Sequence, residues 1–530
     1  MVLQVAVLIL PSLDLPSWTY NLVLGLLVLG FPIALVLAWA LTVTPEGEVT
    51  RVRPTMAGLQ GAGAGQSAAP PDARSLAVLP FTNLSADAEN EYFSDGVTEE
   101  IIASLSKVRD LRVISRTSAM RFKGTDKGIE EIAAALGVAH IVEGSVRRSR
   151  DRVRITAQLI DARTDSHLWA ESYDRDLEDI FAIQSDVAER IARSLQATLT
   201  PSEKVRIEAA PTADTKAYEL YLRGRHQLVR RTEESMLRAI DLLDRALAID
   251  PNFAKAWASR AESWAVAPTY ASTPIEESIR EARVSARRAL ELDSGLGQAH
   301  AALGLAAELA GDPEEAEREY RRALDLDPNA PLALHWYANF LGRRKRFDDA
   351  IALLQRALEI DPLSLPVHMG LAVVLMWAGR WAESEAVLRR ALEIDPGFAI
   401  THRNFAELLE SQDRYEEAIE EHAAVARGDP RRLPPEEAER LREAYERGGP
   451  EGYWQEWTEV SRRRPSPEVR LDGLARALVR LNRVEEAIAV LEEATAQRLS
   501  WTLHIPVEYG RALDSHPRFQ ALVARIQAGR

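Results

Sequence analysis

The heptapeptide RALEIDP stands at residues 356–362 and again at 390–396, with looser copies at 322–328 (RALDLDP) and 425–430 (VARGDP). The aspartates at 293, 327, 361, 395 and 429 follow one another at intervals of 34 residues. A phase held this long requires a stack of like units and excludes a single core of arbitrary order. Within each interval the apolar residues recur at helical spacing in two blocks. Proline is refused inside a helix and welcome in its first turn, so each Asp-Pro ends one helix and opens the next. Small residues return at fixed places, Ala316, Ala350 and Ala418 in one set and Ala323, Ala357 and Ala391 in another. Close helix crossings need such residues.

Two amphipathic helices in 34 residues is the tetratricopeptide pattern. The units expected are 216–253, 254–296, 297–330, 331–364, 365–398, 399–432, an irregular 434–464 and 468–501, with a capping segment over 502–530. The second unit is nine residues longer than the period, and VAPTYASTPIEE, between its helices, is where the excess is expected. A stack of this length forms a superhelix with a concave face. The first helices should turn Asn339, Arg343, Met369, Val373, Trp377, Arg403 and Glu407 toward it. Aromatic, guanidinium and amide groups together suit the gripping of a protein or peptide partner.

Residues 75–200 alternate between strand and helix patterns. SLAVLPF and LRVISRTSAM read as strands, and VTEEIIASLSKV, with Thr98 as its cap, and GIEEIAAALGV as helices. Three further strands follow in hairpins, turning near Ser149–Asp151 and Arg163–Asp165, before a closing helix DIFAIQSDVAERIARSL. The expected fold is a small α/β sandwich. The segments AVLPFTNLSADAENEYFSDGVTEEIIASLSKV, VISRTSAMRFKG, LGVAHIVEGSVRR and QLIDARTDSHLWAESYDRDLEDIFAIQSDVAERIA strongly resemble the TolB amino-terminal-like (FlgO-like) domain. That domain occurs in bacterial multidomain proteins beside cyclase or winged-helix modules and ahead of tetratricopeptide repeats. The resemblance implies a regulatory or sensing module and supplies no catalytic residues. One hairpin gathers Arg147, Arg148, Arg150, Arg152 and Arg154. Such a cluster either blunts an exposed sheet edge or binds an anionic metabolite, nucleotide or lipid headgroup.

At the amino terminus, residues 22–43 contain no charged side chain. That length predicts a transmembrane helix, kinked at Pro32, with Trp18, Tyr20 and Trp39 at the interfaces. No Lys or Arg precedes Arg51, which disfavours a cleaved signal peptide. Arg51 and Arg53 would hold the bulk of the chain in the cytoplasm. GFPIALVLAWALTVTPEG resembles the second half of a two-helix anchor, so residues 2–10 read as the remnant of a first helix and 1–44 as a membrane anchor. Residues 45–74, rich in Gly, Pro and small side chains, read as a flexible linker.

A formal net charge of −15 argues against nucleic acid as a partner. The absence of cysteine removes disulfides, thiol catalysis and thiolate-bound metal. His300, His335, His368 and His402 recur from repeat to repeat, but neighbouring repeats hold them too far apart for one ion, so packing or rim roles are expected. No hydrolase or metalloprotease motif occurs. The expectation is therefore a multidomain chain: transmembrane helix, α/β sandwich, then all-α superhelix. It would act as an integral membrane scaffold without enzymatic role or cofactor, binding a protein partner. The alternative is a regulator that senses an anionic metabolite through the α/β domain.

Overall fold

The computed structural model describes residues 41–43, 49–51, 71–85, 90–149, 152–230, 232–271, 273–428 and 433–527. The chain divides into two compact units, Met1–Ala68 and Ala69–Arg530. In the first, β1 (Leu41–Val43) pairs antiparallel with β2 (Val49–Arg51), Leu41 opposite Arg51. This corrects the expected transmembrane helix over 22–43, whose last three residues are strand. β-Branched Thr42, Val43, Val49 and Thr50 favour the extended pairing over a helix end. No helix among the described residues is long and apolar enough to cross a membrane, so the expected integral membrane location is likewise corrected. The remaining expectations for 1–40, including the remnant at 2–10, lie outside the described residues, as does most of the expected linker.

The second unit opens with β3 (Ser75–Val78), β4 (Thr82–Asn83), α1 (Glu91–Ser106), β5 (Arg112–Val113), α2 (Arg116–Met120), α3 (Ile129–Leu136), β6 (His140–Ser149), β7 (Arg152–Asp161), β8 (Ser166–Asp176) and α4 (Ile180–Ser194). The sheet order is β5-β3-β6-β7-β8, with β4 also on β6; β3 runs parallel to β5 and β6, and β6-β7-β8 is an antiparallel meander. All four residues of β3 are buried, as a strand covered on both faces requires. Along β7, Val153, Ile155, Ala157 and Leu159 point inward while Arg152 and Arg154 point out, the period of two of a strand with one solvated face.

Two local readings change. Helix α1 begins at Glu91, well before Thr98. Thr98 sits inside it, donating to Ser94 O (2.9 Å) and accepting from the Phe81 amide (3.0 Å), which ties the helix to the chain after β3. The second expected strand stops at Val113, because the Ser115 side chain caps α2.

One apolar core runs from this sheet into the helices beyond. Val97, Ile101 and Leu105 of α1 and Val187 and Ile191 of α4 pack with Tyr218, Tyr221 and Leu222 of α6 (Thr215–Leu228), which follows the short α5 (Pro201–Glu208). Gly96 permits the approach: a Cβ there would lie 2.6 Å from Leu222 Cδ1.

The helices then pair in antiparallel hairpins: α6 with α7 (Glu233–Ile249), α8 (Ala254–Tyr270) with α9 (Ile275–Leu292), α10 (Gly297–Leu309) with α11 (Pro313–Leu326), α12 (Pro331–Arg343) with α13 (Phe347–Ile360), α14 (Leu365–Trp377) with α15 (Trp381–Ile394), and α16 (Ala399–Ser411) with α17 (Tyr415–Gly428). The extra residues of the second hairpin lengthen its two helices instead of forming a long loop. Gly304 faces Tyr320, where a Cβ would approach Cδ1 to 2.7 Å. The phase of the aspartates reappears in the backbone: Gly311, Lys345, Gly379 and Asp413 all hold positive φ between the paired helices. Beyond 433, α18 (Pro435–Arg462) is broken at Gly449, and α19 (Pro467–Arg480) pairs with α20 (Val484–Ala496). A 3₁₀ turn (Ser500–His504), α21 (Ile505–Glu508), α22 (Gly510–Leu513) and α23 (Pro517–Gln527) complete the chain. The second unit is thus mostly helical, a superhelix with one small sheet.

Candidate functional site

The first helices of successive hairpins line a channel of about 1870 Å³. Its far wall is the carboxyl-terminal segment, which folds back across the superhelix. Arg498 pairs with Glu276 of α9, Lys345 Nζ lies 3.7 Å from Asp514 Oδ2, and the Trp377 ring meets His504 edge-on at 5.4 Å. Glu99, Ser115 and Arg116 of the α/β layer reach the same channel. Of the chain's 11 tryptophans, Trp336, Trp377, Trp381, Trp454, Trp457 and Trp501 line it, so the lining is far richer in indole than the chain as a whole.

Of the residues expected on the concave face, Asn339, Arg343, Val373, Trp377, Arg403 and Glu407 all line this channel. Asn339 Nδ2 contacts His335 Nε2 at 3.0 Å, and Arg343 Nε donates to Glu308 Oε1 at 2.8 Å. Arg403 Nε lies 3.7 Å from Glu407 Oε1, and Glu407 Oε1 in turn 2.7 Å from Arg476 Nη1. Met369 is elsewhere: it is buried between helices, with Asn404 Nδ2 donating to its sulfur at 3.5 Å. Helix α14 is apolar on nearly every side, so no periodicity in its sequence marks the inner face.

The sequence reading missed the groups that α19 and the terminal segment bring in: Asp472, Arg476, His504, Glu508 and Tyr509, beside Glu410 of α16. Burial, aided by Arg343 and Arg403, pushes the His504 imidazole down to about 3. The surrounding protein and the nearby Asp472 and Glu407 carboxylates push the Glu508 carboxyl upward, although its side chain is open to the channel. Burial would raise Glu410 as well, but Arg476, His422 and Tyr453 hold it below its ordinary value. No local pattern announces such a cluster, because its members lie on helices far apart in the chain.

The arginines of the hairpin lie on both faces of the sheet. Arg152 and Arg154 lie 2.6 and 2.9 Å from the Asp174 carboxylate across the strand pair. Arg148, on the opposite face, pairs with Glu219 and lies over the Phe93 ring at 5.2 Å. Arg147 is exposed opposite Arg154, and Arg150 lies outside the described residues. The four repeat histidines are held locally: His300 on Glu319 (2.7 Å), His335 on Asn339, His368 on Ser364 O (2.9 Å) and His402 on Glu421 (2.6 Å).

A second contact joins the α/β layer to the repeats. The Ser118 hydroxyl donates to Asp361 Oδ1 at 2.5 Å and accepts from the Leu363 amide at 2.9 Å, and the Ser115 amide donates to Ile360 O at 2.8 Å. Burial raises the Asp361 carboxyl above its ordinary value, opposed by the hydroxyls of Ser115, Ser118 and Ser364. An aspartate of the 34-residue phase is here turned to hold another layer.

Family models described as tetratricopeptide repeat match residues 277–331, 307–372 and 341–400. The chain carries tetratricopeptide repeats. Such repeats are scaffolds for protein–protein interaction. Over residues 72–192 the matching model is that of the second domain of HilA/YgeH-like transcriptional regulators. Among curated proteins, the chain is 42% identical over 246 residues to a protein named putative adenylate cyclase 3 of Rhizobium meliloti, covering 46% of this chain and 42% of that one. It is 39% identical over 70 residues to the type IV pilus assembly protein PilF of Pseudomonas aeruginosa, covering 13% of this chain and 28% of that one. The chain thus spans less than half of the length of the curated relatives it matches. The expectation of a chain without enzymatic role is overturned by the first relative, which bears an enzyme's name. A solved structure of Pseudomonas aeruginosa PilF is similar at 21% identity and a TM-score of 0.31, covering 46% of this chain and 97% of that one. YrrB, a TPR protein, is similar at 19% identity and a TM-score of 0.28, covering 37% and 97%.

Proposed function

We propose that the tetratricopeptide channel receives an extended segment of a protein partner and that the α/β layer regulates this capture. The observation that carries the reading is the shared lining: Trp377, Arg403 and Asn339 from three hairpins and Glu99, Ser115 and Arg116 from the α/β layer open onto one channel. Indole and guanidinium groups on a rigid concave wall bind at small entropic cost. A layer that forms part of the wall changes the channel whenever it shifts. The likeness of residues 72–192 to a domain of transcriptional regulators supports a regulatory part for that layer.

The test is affinity capture with the full chain and with Trp377→Ala and Arg403→Ala, read by mass spectrometry. A partner of the channel is lost from both variants and retained by Arg389→Ala, whose side chain is exposed on the outer face. Retention by Arg403→Ala at unchanged melting temperature would place the interaction elsewhere.

A second reading rests on the putative adenylate cyclase: the chain takes part in nucleotide cyclisation. Incubation of the purified chain with ATP and Mg²⁺ or Mn²⁺, assayed for cyclic AMP, decides it.

A further inference from the structure

Six buried side-chain atoms of the channel wall have no hydrogen-bond partner among the described residues: Trp457 Nε1, Trp501 Nε1, Tyr509 Oη, Arg116 Nε, Arg476 Nε and Glu410 Oε2. Four of these only donate, the tyrosine hydroxyl does either, and Glu410 Oε2 alone is restricted to accepting. The charged groups among them are matched within the wall. Arg116 Nε lies 3.3 Å from Glu99 Oε2, and Arg476 Nη1 lies 2.7 Å from Glu407 Oε1 and 3.9 Å from Glu410 Oε2. Trp457, Trp501 and Tyr509 are neutral and stay unpaired. Trp457 is 8% and Tyr509 3% exposed, and buried polar atoms are seldom left without a partner. The three flank one helix, α19. The Trp457 N–H edge lies beside Gly473, where a Cβ would come within 3.5 Å of Nε1. Tyr509 shares an apolar cluster with Ala475, and Trp501 packs against one that holds Leu471 and Leu474. The spare hydrogen-bonding capacity of this wall is therefore donor capacity, and it sits on aromatic side chains.

A matching ligand offers acceptors and brings few donors of its own. Anionic acceptors are disfavoured, because Glu407, Glu410 and Glu508 line the same channel. A peptide folded as a helix spends its carbonyls on its own amides. A proline-rich segment differs on both counts. Proline has no N–H, and the polyproline II helix makes no internal hydrogen bonds, so every carbonyl is free to accept. Its rings also need flat apolar surfaces, and the half-buried Trp336, Trp377, Trp381 and Trp501 line the channel.

We propose that the extended segment received by the channel is proline-rich and held in polyproline II form. Its main-chain carbonyls accept from Trp457 Nε1, Trp501 Nε1 and the Tyr509 hydroxyl, and its rings lie on the indole faces. The proposal rests on the channel reading above and names the partner's chemistry. A segment already stiff when free loses little conformational entropy on entering, which favours it over a flexible chain of equal length.

Three labelled peptides of equal length, decaproline, a glycine–serine repeat and decaglutamate, are titrated against the full chain by fluorescence anisotropy. Decaproline is expected to bind at least about tenfold more tightly than either of the others. Tyr509→Phe removes one hydroxyl and keeps the ring, and Trp501→Phe removes one N–H and keeps an aromatic face. Each should weaken decaproline by about three- to tenfold, the worth of one neutral hydrogen bond. The Tyr509→Phe chain should at the same time melt no lower than the parent, because its hydroxyl has no partner in the empty channel. A purely structural tyrosine would show the reverse, a lowered melting temperature with binding unchanged, and that result overturns the assignment. Equal binding of decaproline and the glycine–serine peptide overturns the proline preference and leaves the channel reading standing, as does tighter binding of decaglutamate. Binding of none of the three also overturns the proposal, while the channel reading is still decided by partner capture with Trp377→Ala. A decaproline affinity undiminished in both Tyr509→Phe and Trp501→Phe places the site away from this wall and overturns it.

Discussion

Among the described residues the α/β layer meets the repeats at two contacts, one with an apolar centre and one with a polar centre. At the α1–α6 contact, Val97, Ile101 and Leu105 meet Tyr218, Tyr221 and Leu222 in one apolar core, flanked by the ion pairs Glu99–Arg225 and Glu100–Lys255. At the α2 contact the centre is polar: Ser115 and Ser118 against Ile360, Asp361 and Leu363, with only Leu363 and Ile394 joining a small apolar cluster. Apolar burial is strong and indifferent to direction, so the first contact makes sheet and first hairpin fold as one body. Hydrogen bonds are weak in net terms but demand one geometry, so the second fixes the angle between layer and superhelix. The second also lies at the channel, whose lining includes Ser115 and Asp361.

Breaking the apolar contact should have the largest effect. Leu222 is 2% exposed against Gly96, and Leu222→Ala leaves a cavity there. A loss of about 2–5 kcal/mol is expected in denaturant unfolding, with sheet and first hairpin destabilised together. If only one of them loosened, the shared core would be the wrong description.

The polar contact should respond less, and in a pH-dependent way. Asp361→Ala removes the acceptor for a buried hydroxyl and should cost about 1–3 kcal/mol. Hydrogen exchange should rise in α2 and stay unchanged in α1. Asp361→Asn separates charge from shape. Because burial raises the Asp361 carboxyl above its usual value, its contribution is fully present below 3.8 and falls as pH rises through the higher folded value. The asparagine variant should therefore lose that decline, holding its melting temperature from acid to neutral pH better than the parent chain. Parallel pH curves for the two proteins would remove Asp361 from the account.

Much of this was legible in the sequence, for reasons that differ from part to part. The 34-residue phase is written by packing: alanine at 316, 350 and 418 and aspartate at 327, 361 and 395 are what close crossings and tight turns require. Asn339, Arg343, Val373 and Trp377 could be placed on the channel wall because phase and helical period together fix their direction. Met369 could not, since α14 has no polar side to contrast with. The stretch 22–43 misled because an apolar run specifies burial, not helix, and its last residues are β-branched and paired as strand. Glu508, His504 and Tyr509 carry no local signature; they matter only because the terminal segment folds back across the superhelix, a non-local event. The same holds for Asp361, whose sequence context is that of every other turn aspartate, although it alone among them meets Ser118.

The smallest effect should come from the rim of the polar contact. Arg112 Nη1 donates to Glu359 O at 2.9 Å, two residues before Asp361, and a second nitrogen of the same guanidinium donates to Gly137 O beyond α3. Both carbonyls lie near solvent, so water replaces the lost donors when Arg112→Ala is made. A cost of at most about 1 kcal/mol is expected, near the net worth of an ordinary hydrogen bond and below that of Asp361→Ala. The comparison is sharpened by combining the two substitutions. If Arg112 and Asp361 belong to one contact that opens as a unit, the double variant should lose less than the sum of the single losses, because the first substitution already releases the second group. Strict additivity would mean that Arg112 ties β5 to the repeats on its own, and the polar contact would then be two latches instead of one.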